Sequence, residues 1–150
     1  MIVYLNDINE TLADEILAIQ IPSYHIEAAL IGFSGIPQLM DTVDSIMKSE
    51  EIFIGYRLDH EWAGFLSYSV EKDTMEICRL VVHPLHFRKG IGGKLIEASL
   101  ALASGKKIIV STGSENQPAL NLYKRFGFVI INEIEVAPGI FLSLLEKTVE

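Results

Sequence analysis

The segment VVHPLHFRKGIGGKL, residues 81–95, carries the densest chemistry in the chain. An apolar run ends at His83-Pro84, and Gly90-Ile91-Gly92-Gly93 then opens a helical pattern. Glycines let peptide N–H groups approach a ligand with no Cβ in the way. A helix start adds unpaired donors at the positive end of the aligned peptide dipoles. Such a loop suits a phosphate or diphosphate, and Arg88 and Lys89 supply charge beside it. Two familiar phosphate loops do not fit. A P-loop needs Gly-x4-Gly-Lys-Ser/Thr, whereas Arg88 stands at the first glycine and Leu95 at the hydroxyl. A dinucleotide fingerprint needs a third glycine where Leu95 stands. His83 and His86 form a His-x-x-His pair, but no carboxylate or thiolate lies at metal spacing, so no metal is expected.

A second motif follows in STGSENQPALNLYKRFGFV: Asn116, Ala119, Leu122-Tyr123 and Gly127-Phe128. Together the two motifs resemble the GNAT superfamily of N-acetyltransferases. That family carries strand, Gln/Arg-x-x-Gly-x-Gly/Ala and helix, then strand, Asn, a helix with Leu-Tyr and a Gly-Phe ending. The resemblance implies an α/β fold with a mixed, mostly antiparallel sheet of about seven strands flanked by about four helices, the element order read below. It also implies acetyl-CoA as acetyl donor, with Arg88, Lys89, Gly90, Ile91, Gly92 and Gly93 cradling the diphosphate. Leu80, Val81 and Val82 would pair through their main chain with the pantetheine arm, and Asn116 would contact the same arm or cap the helix that follows. One departure is visible: Phe87 replaces the usual Gln or Arg three positions before the first glycine.

The resemblance also assigns catalytic roles. Tyr123 stands where the family places the acid that protonates the leaving CoA thiolate. A phenol, with a reference pKa of ~10, stays protonated and able to donate at neutral pH. Attack on a thioester needs a neutral amine, so a base must take a proton, and Glu76 is the candidate. Strand alternation would set Glu76, Cys78, Leu80 and Val82 on one face. Cys78 is a weaker candidate, as a nucleophile, because no His/Asn constellation accompanies it. The acceptor pocket is expected between the first two helices, at Tyr24, His25, Glu27 and Phe33, with Asp41 and Asp44 beyond. A non-catalytic acyl-CoA-binding sensor or interaction module is the alternative reading of the same motifs.

Charge supports this division of labour. The 150 residues hold 12 basic and 20 acidic side chains, net −8, which argues against broad nucleic-acid binding. Residues 1–78 carry 14 acids and 3 bases, net −11, whereas residues 79–125 carry 8 bases and 2 acids, net +6. The basic third coincides with both cofactor motifs, and the acidic half predicts a cationic amine as acceptor. A composition of 49% hydrophobic and 21% charged residues reads as globular. No apolar stretch approaches the ~20 residues a membrane span requires, and the acidic start MIVYLNDINE is not a signal peptide. The single cysteine fits a reducing, cytoplasmic setting.

The elements that must position these groups follow from periodicity. No linker or repeat interrupts the chain, so one domain over 1–150 is expected. Residues 2–5 read as a strand, 12–21 as a helix ended by Pro22, and 38–47 as a second helix. Residues 52–57, 63–70 and 75–83 read as an antiparallel meander joined by four-residue turns. A helix over 94–103, a strand over 107–111 and a helix over 118–126 follow. Strands at 128–136 and 140–145 close the chain, either completing the sheet or pairing across a homodimer.

Overall fold

The computed structural model describes residues 1–150. Seven strands form one sheet: β1 (Ile2–Leu5), β2 (Ile52–Leu58), β3 (Glu61–Glu71), β4 (Thr74–Val82), β5 (Lys107–Gly113), β6 (Val129–Ala137) and β7 (Ile140–Thr148). Four α-helices accompany them: α1 (Glu10–Ile31), α2 (Val43–Lys48), α3 (Ile91–Leu102) and α4 (Gln117–Arg125). The strand order is β1-β2-β3-β4-β5-β7-β6. Every neighbouring pair is antiparallel except β4–β5, which is parallel and reached by the α3 crossover. The closing hairpin thus completes the sheet of its own chain, with β7 inserted between β5 and β6.

Each face of the sheet covers its own core. On one face α3 and α4 bury Leu95, Ile96, Leu120 and Tyr123 against Ile54, Leu66, Ile77, Val110 and Leu145. On the other, α1 and α2 bury Ala13, Ile16, Ile19, Tyr24 and Ile46 against Phe53, Phe65 and Val81. No helix is long and apolar enough to cross a membrane.

Three local expectations are overturned, each for a physical reason. Pro22 does not end the first helix but lies inside α1, which runs on to a left-handed Gly32 cap. An interior proline forfeits one helical hydrogen bond and costs about 3 kcal/mol. Burial of Tyr24 and Ile31 beyond it, with Ala13, Ile16, Ile19 and Gln20 before it, holds the helix together across the break. The second helix is not continuous over 38–47. A 3-10 turn at Pro37–Met40 stops at Asp41, and α2 restarts under a capping box made by Thr42 and Ser45. The meander turns are two residues, not four: Asp59-His60 carries left-handed φ values of 50° and 72°, and Lys72 one of 57°.

A fourth correction bears on the site. Ser67 pairs with Arg79 and Tyr68 with Ile77, so Cys78 is an extra residue, a bulge in β4. A one-residue insertion reverses the facing of everything beyond it. Met75 and Ile77 before the bulge, and Leu80 and Val82 after it, share the α3–α4 side. Glu76 pairs with Ser69 on the opposite side, away from Leu80 and Val82.

Candidate active site

The parallel pairing of β4 and β5 covers only Thr74–Ile77 against Lys107–Val110. Beyond those residues the strands diverge, and β4 keeps its ladder to β3 alone from Arg79 to Val82. A cleft of about 870 Å³ occupies the divergence. Its floor is Ile77, Cys78, Leu80 and Val82 of β4 with Val110, Ser111 and Thr112 of β5. One end reaches the loop Phe87–Gly93, and the α1 residues Ser23, Tyr24, Glu27 and Leu30 form the opposing wall.

At the loop end, α3 starts at Ile91 behind a left-handed Gly90, φ 76°, with no side chain capping its first amides. Uncapped amides at a helix start suit an anion. Arg88 is also left-handed, φ 65°, and loops with such reversals fold their peptide N–H groups into anion-binding concavities. Gly92 and Gly93 answer a different constraint: an added Cβ would come 3.3 Å from Leu122 in one case and 3.3 Å from Phe126 in the other, both on the α4 side. Arg88, Lys94 and Arg125 line the cleft, whereas Lys89 turns to His86, 3.0 Å from its Nδ1. His83 Nδ1 accepts from the Leu85 amide at 3.1 Å. Phe87 lines the cleft and is 43% exposed.

Two helices from opposite faces of the sheet meet in the divergence. Tyr24 comes from α1 and Tyr123 from α4, and both are buried. Burial, and then the nearby Glu27 carboxylate, push both phenols well above their ordinary pKa. Tyr123 packs edge-on against Phe128 at 5.5 Å. Glu27 spans the opening: its Oε1 accepts from Thr112 Oγ1 at 3.0 Å and from Asn116 Nδ2 at 2.9 Å. Asn116 also caps α4, its Oδ1 accepting from the Ala119 amide at 3.3 Å. Glycine at 113 permits this reach, since a Cβ there would collide with Ile31 of α1.

Behind the floor lies a buried ion-pair network. Arg79 pairs with Asp41 at 2.6 Å and Glu51 at 2.9 Å, and donates to Gln20 at 3.0 Å. Burial alone would raise the Glu51 pKa, but hydrogen bonds from Arg79 and Ser67 bring it below the ordinary carboxylate value. Three of the fourteen acids in the first 78 residues are thus engaged by cations of the protein itself. Asp41 and Glu51 share the single charge of Arg79, and Asp44 pairs with Lys48 on the surface at 3.0 Å.

The sequence-derived candidates divide accordingly. The cleft brings together Tyr24, Glu27, Leu80, Val82, Arg88, Gly90, Ile91, Gly92, Gly93, Asn116 and Tyr123. Val81 is buried on the opposite face, leaving only its backbone beside the opening. His25 is exposed outside the cleft, and Phe33 packs against the α1 core. Glu76 is exposed in the paired part of β4, lining a separate small depression with Ser69, Glu71 and Lys72, and does not meet Tyr123. Burial raises the Cys78 thiol pKa, which keeps it a thiol rather than a nucleophilic thiolate. Thr112 went unnoticed in the sequence, where nothing distinguishes one threonine of a strand.

Residues 16–128 match the acetyltransferase (GNAT) family, and the chain belongs to that family. It is 43% identical over 145 residues to the UPF0157 protein YqkA of Bacillus subtilis (strain 168). The match covers 96% of this chain but 42% of that protein. Among solved structures, smu.2055 from Streptococcus mutans UA159 superposes with a TM-score of 0.83 at 17% identity, covering 100% of this chain and 99% of that one. An aminoglycoside 6'-N-acetyltransferase complexed with coenzyme A gives 0.74 at 16% identity, over 99% and 96% of the two chains. yncA from Salmonella typhimurium, solved with acetyl-CoA, gives 0.76 at 16%, over 100% and 94%. At such identities these structures share the fold.

Proposed function

We propose that the protein is an acetyl-CoA-dependent N-acetyltransferase that passes the acetyl group directly to an amine, a small cationic amine or a peptide or protein amine. The observation that carries this reading is the β4–β5 divergence, which runs from the uncapped start of α3 to the buried Tyr123 phenol. The residues present fit the donor. Free amides at Ile91, Gly92 and Gly93, with Arg88 beside them, suit its diphosphate. The β4 edge beyond Cys78, open on its β5 side, suits an extended pantetheine arm. Asn116 already spends its side chain on Glu27, Thr112 and the α4 cap, so its support for that arm is indirect.

Acetyl-CoA when bound supplies an activated acetyl thioester. Tyr123 holds the proton for the departing sulfur: its raised pKa keeps the phenol neutral, and the same apolar surroundings raise the basicity of a thiolate beside it. The decisive experiment pairs acetyl-CoA titration by calorimetry with CoA release across a panel of primary amines. Saturable binding with release for at least one amine is expected. Binding without release across the panel would favour the acyl-CoA sensor instead.

A further inference from the structure

Transfer to an amine needs a group that receives the acceptor and removes its proton, and Glu76 lies outside the cleft. Glu27 is the acid that α1 places in it. Its Oε1 is fixed by two donors, Thr112 Oγ1 and Asn116 Nδ2, one on β5 and one at the start of α4. Its Oε2 has no protein partner, and since no buried side-chain oxygen in the molecule lacks one, this oxygen is open to solvent. An anchored carboxylate with one oxygen free is a stiff acceptor for a single N–H donor. Its charge acts on Tyr24 of its own helix and Tyr123 of α4, and the other titratable groups lining the cleft are Cys78 and Arg79 on β4, His86 and Arg88 before α3, Lys94 and Glu97 on α3, and Arg125 on α4. Of the cations, Arg79 is already engaged by Asp41 and Glu51, and Arg88, Lys94 and Arg125 belong to the loop, α3 and α4.

We propose that Glu27 binds the acceptor as an ammonium through Oε2 and takes its proton, so that the enzyme selects amines that arrive charged. This rests on the N-acetyltransferase reading. The Glu27 carboxylate accepts one proton from R–NH3⁺ and passes it to solvent. The neutral amine nitrogen forms the new C–N bond to the acetyl carbon, and the C–S bond breaks. Tyr123 gives its phenolic proton to the sulfur and regains one from the nitrogen as the amide forms. The products are the acetamide, CoA thiol and one released proton. Thr112 and Asn116 are positioning residues, because they act through Glu27.

The test compares wild type with Glu27→Gln in full-length protein. It reads acetyl-CoA affinity by calorimetry, and CoA release with the best amine of the panel between pH 6 and 10. Glutamine can keep both hydrogen bonds at Oε1 but cannot take a proton. The expected result is acetyl-CoA affinity within twofold of wild type and turnover at pH 7 lower by roughly 10²-fold or more. The deficit should shrink as pH rises and the free amine supplies itself. Equal turnover at pH 7, a deficit constant across pH, or parallel loss of acetyl-CoA binding would overturn the role of Glu27. Failure of the wild type to release CoA with any amine would overturn the transfer reading, and this inference with it.

Discussion

Tyr123 and Tyr24 share one environment, which suits the proposed proton donor and also carries a liability. Both phenols are buried beside Glu27, and both have their pKa values raised by that burial first and that carboxylate second. In the proposed role of acid, Tyr123 would stay protonated across the whole neutral range. Tyr123→Phe should therefore lower kcat by about 10²-fold or more with little change in amine KM, read by CoA thiol release. For stability the sign is opposite. Below pH ~10 the phenols are neutral in both folded and unfolded chains and cost nothing. Above it the unfolded chain loses these protons while the fold retains them, so stability falls with rising pH. A melting temperature that drops between pH 9 and 11, with a shallower drop in Tyr24→Phe, is the expected outcome. At this scale the sequence disclosed identities better than partnerships. Tyr123 announced itself through the Leu-Tyr and Gly-Phe frame, but Glu27 meets Thr112 and Asn116 across 85 and 89 positions, a distance that no local pattern encodes.

The β4 bulge is the element that places the most chemistry. It sends Leu80 and Val82 to the cleft floor and turns Arg79 into the opposite layer, where Asp41 and Glu51 hold it. That network ties the α1–α2 connection and the start of β2 to the strand bordering the cleft. Arg79→Met would leave two carboxylates without their cation in a partly buried site, at a cost of about 3–5 kcal/mol. A clear fall in the urea midpoint should follow, and full stability in this variant would show the network to be incidental. The strands of the meander were legible because runs rich in Ile, Val, Phe and Tyr lie between polar turns. The bulge was not, since its cause is a pairing offset against β3 and every residue involved is an ordinary strand former. Pro22 misled for the converse reason: local propensity ends a helix there, and tertiary burial carries α1 nine residues further.

At the scale of the molecule, four residue pairs are all that join β1–β4 to β5–β7 by strand pairing. Past them, β4 presents an interior strand edge with no strand beside it, a surface that folded sheets otherwise cover or blunt. Acetyl-CoA should slow amide hydrogen exchange in residues 78–82 and 88–93 while leaving β6 unchanged, and uniform protection or none would place the ligand elsewhere. The opening also gives occupancy a thermodynamic meaning. A ligand that lies along the edge of β4 acts as an extra strand. At a hundredfold excess over its Kd it adds about 2.7 kcal/mol to the folding equilibrium. Emptying the cleft would withdraw that same increment, so that the opening in the sheet makes the protein's resistance to unfolding depend on the supply of its ligand.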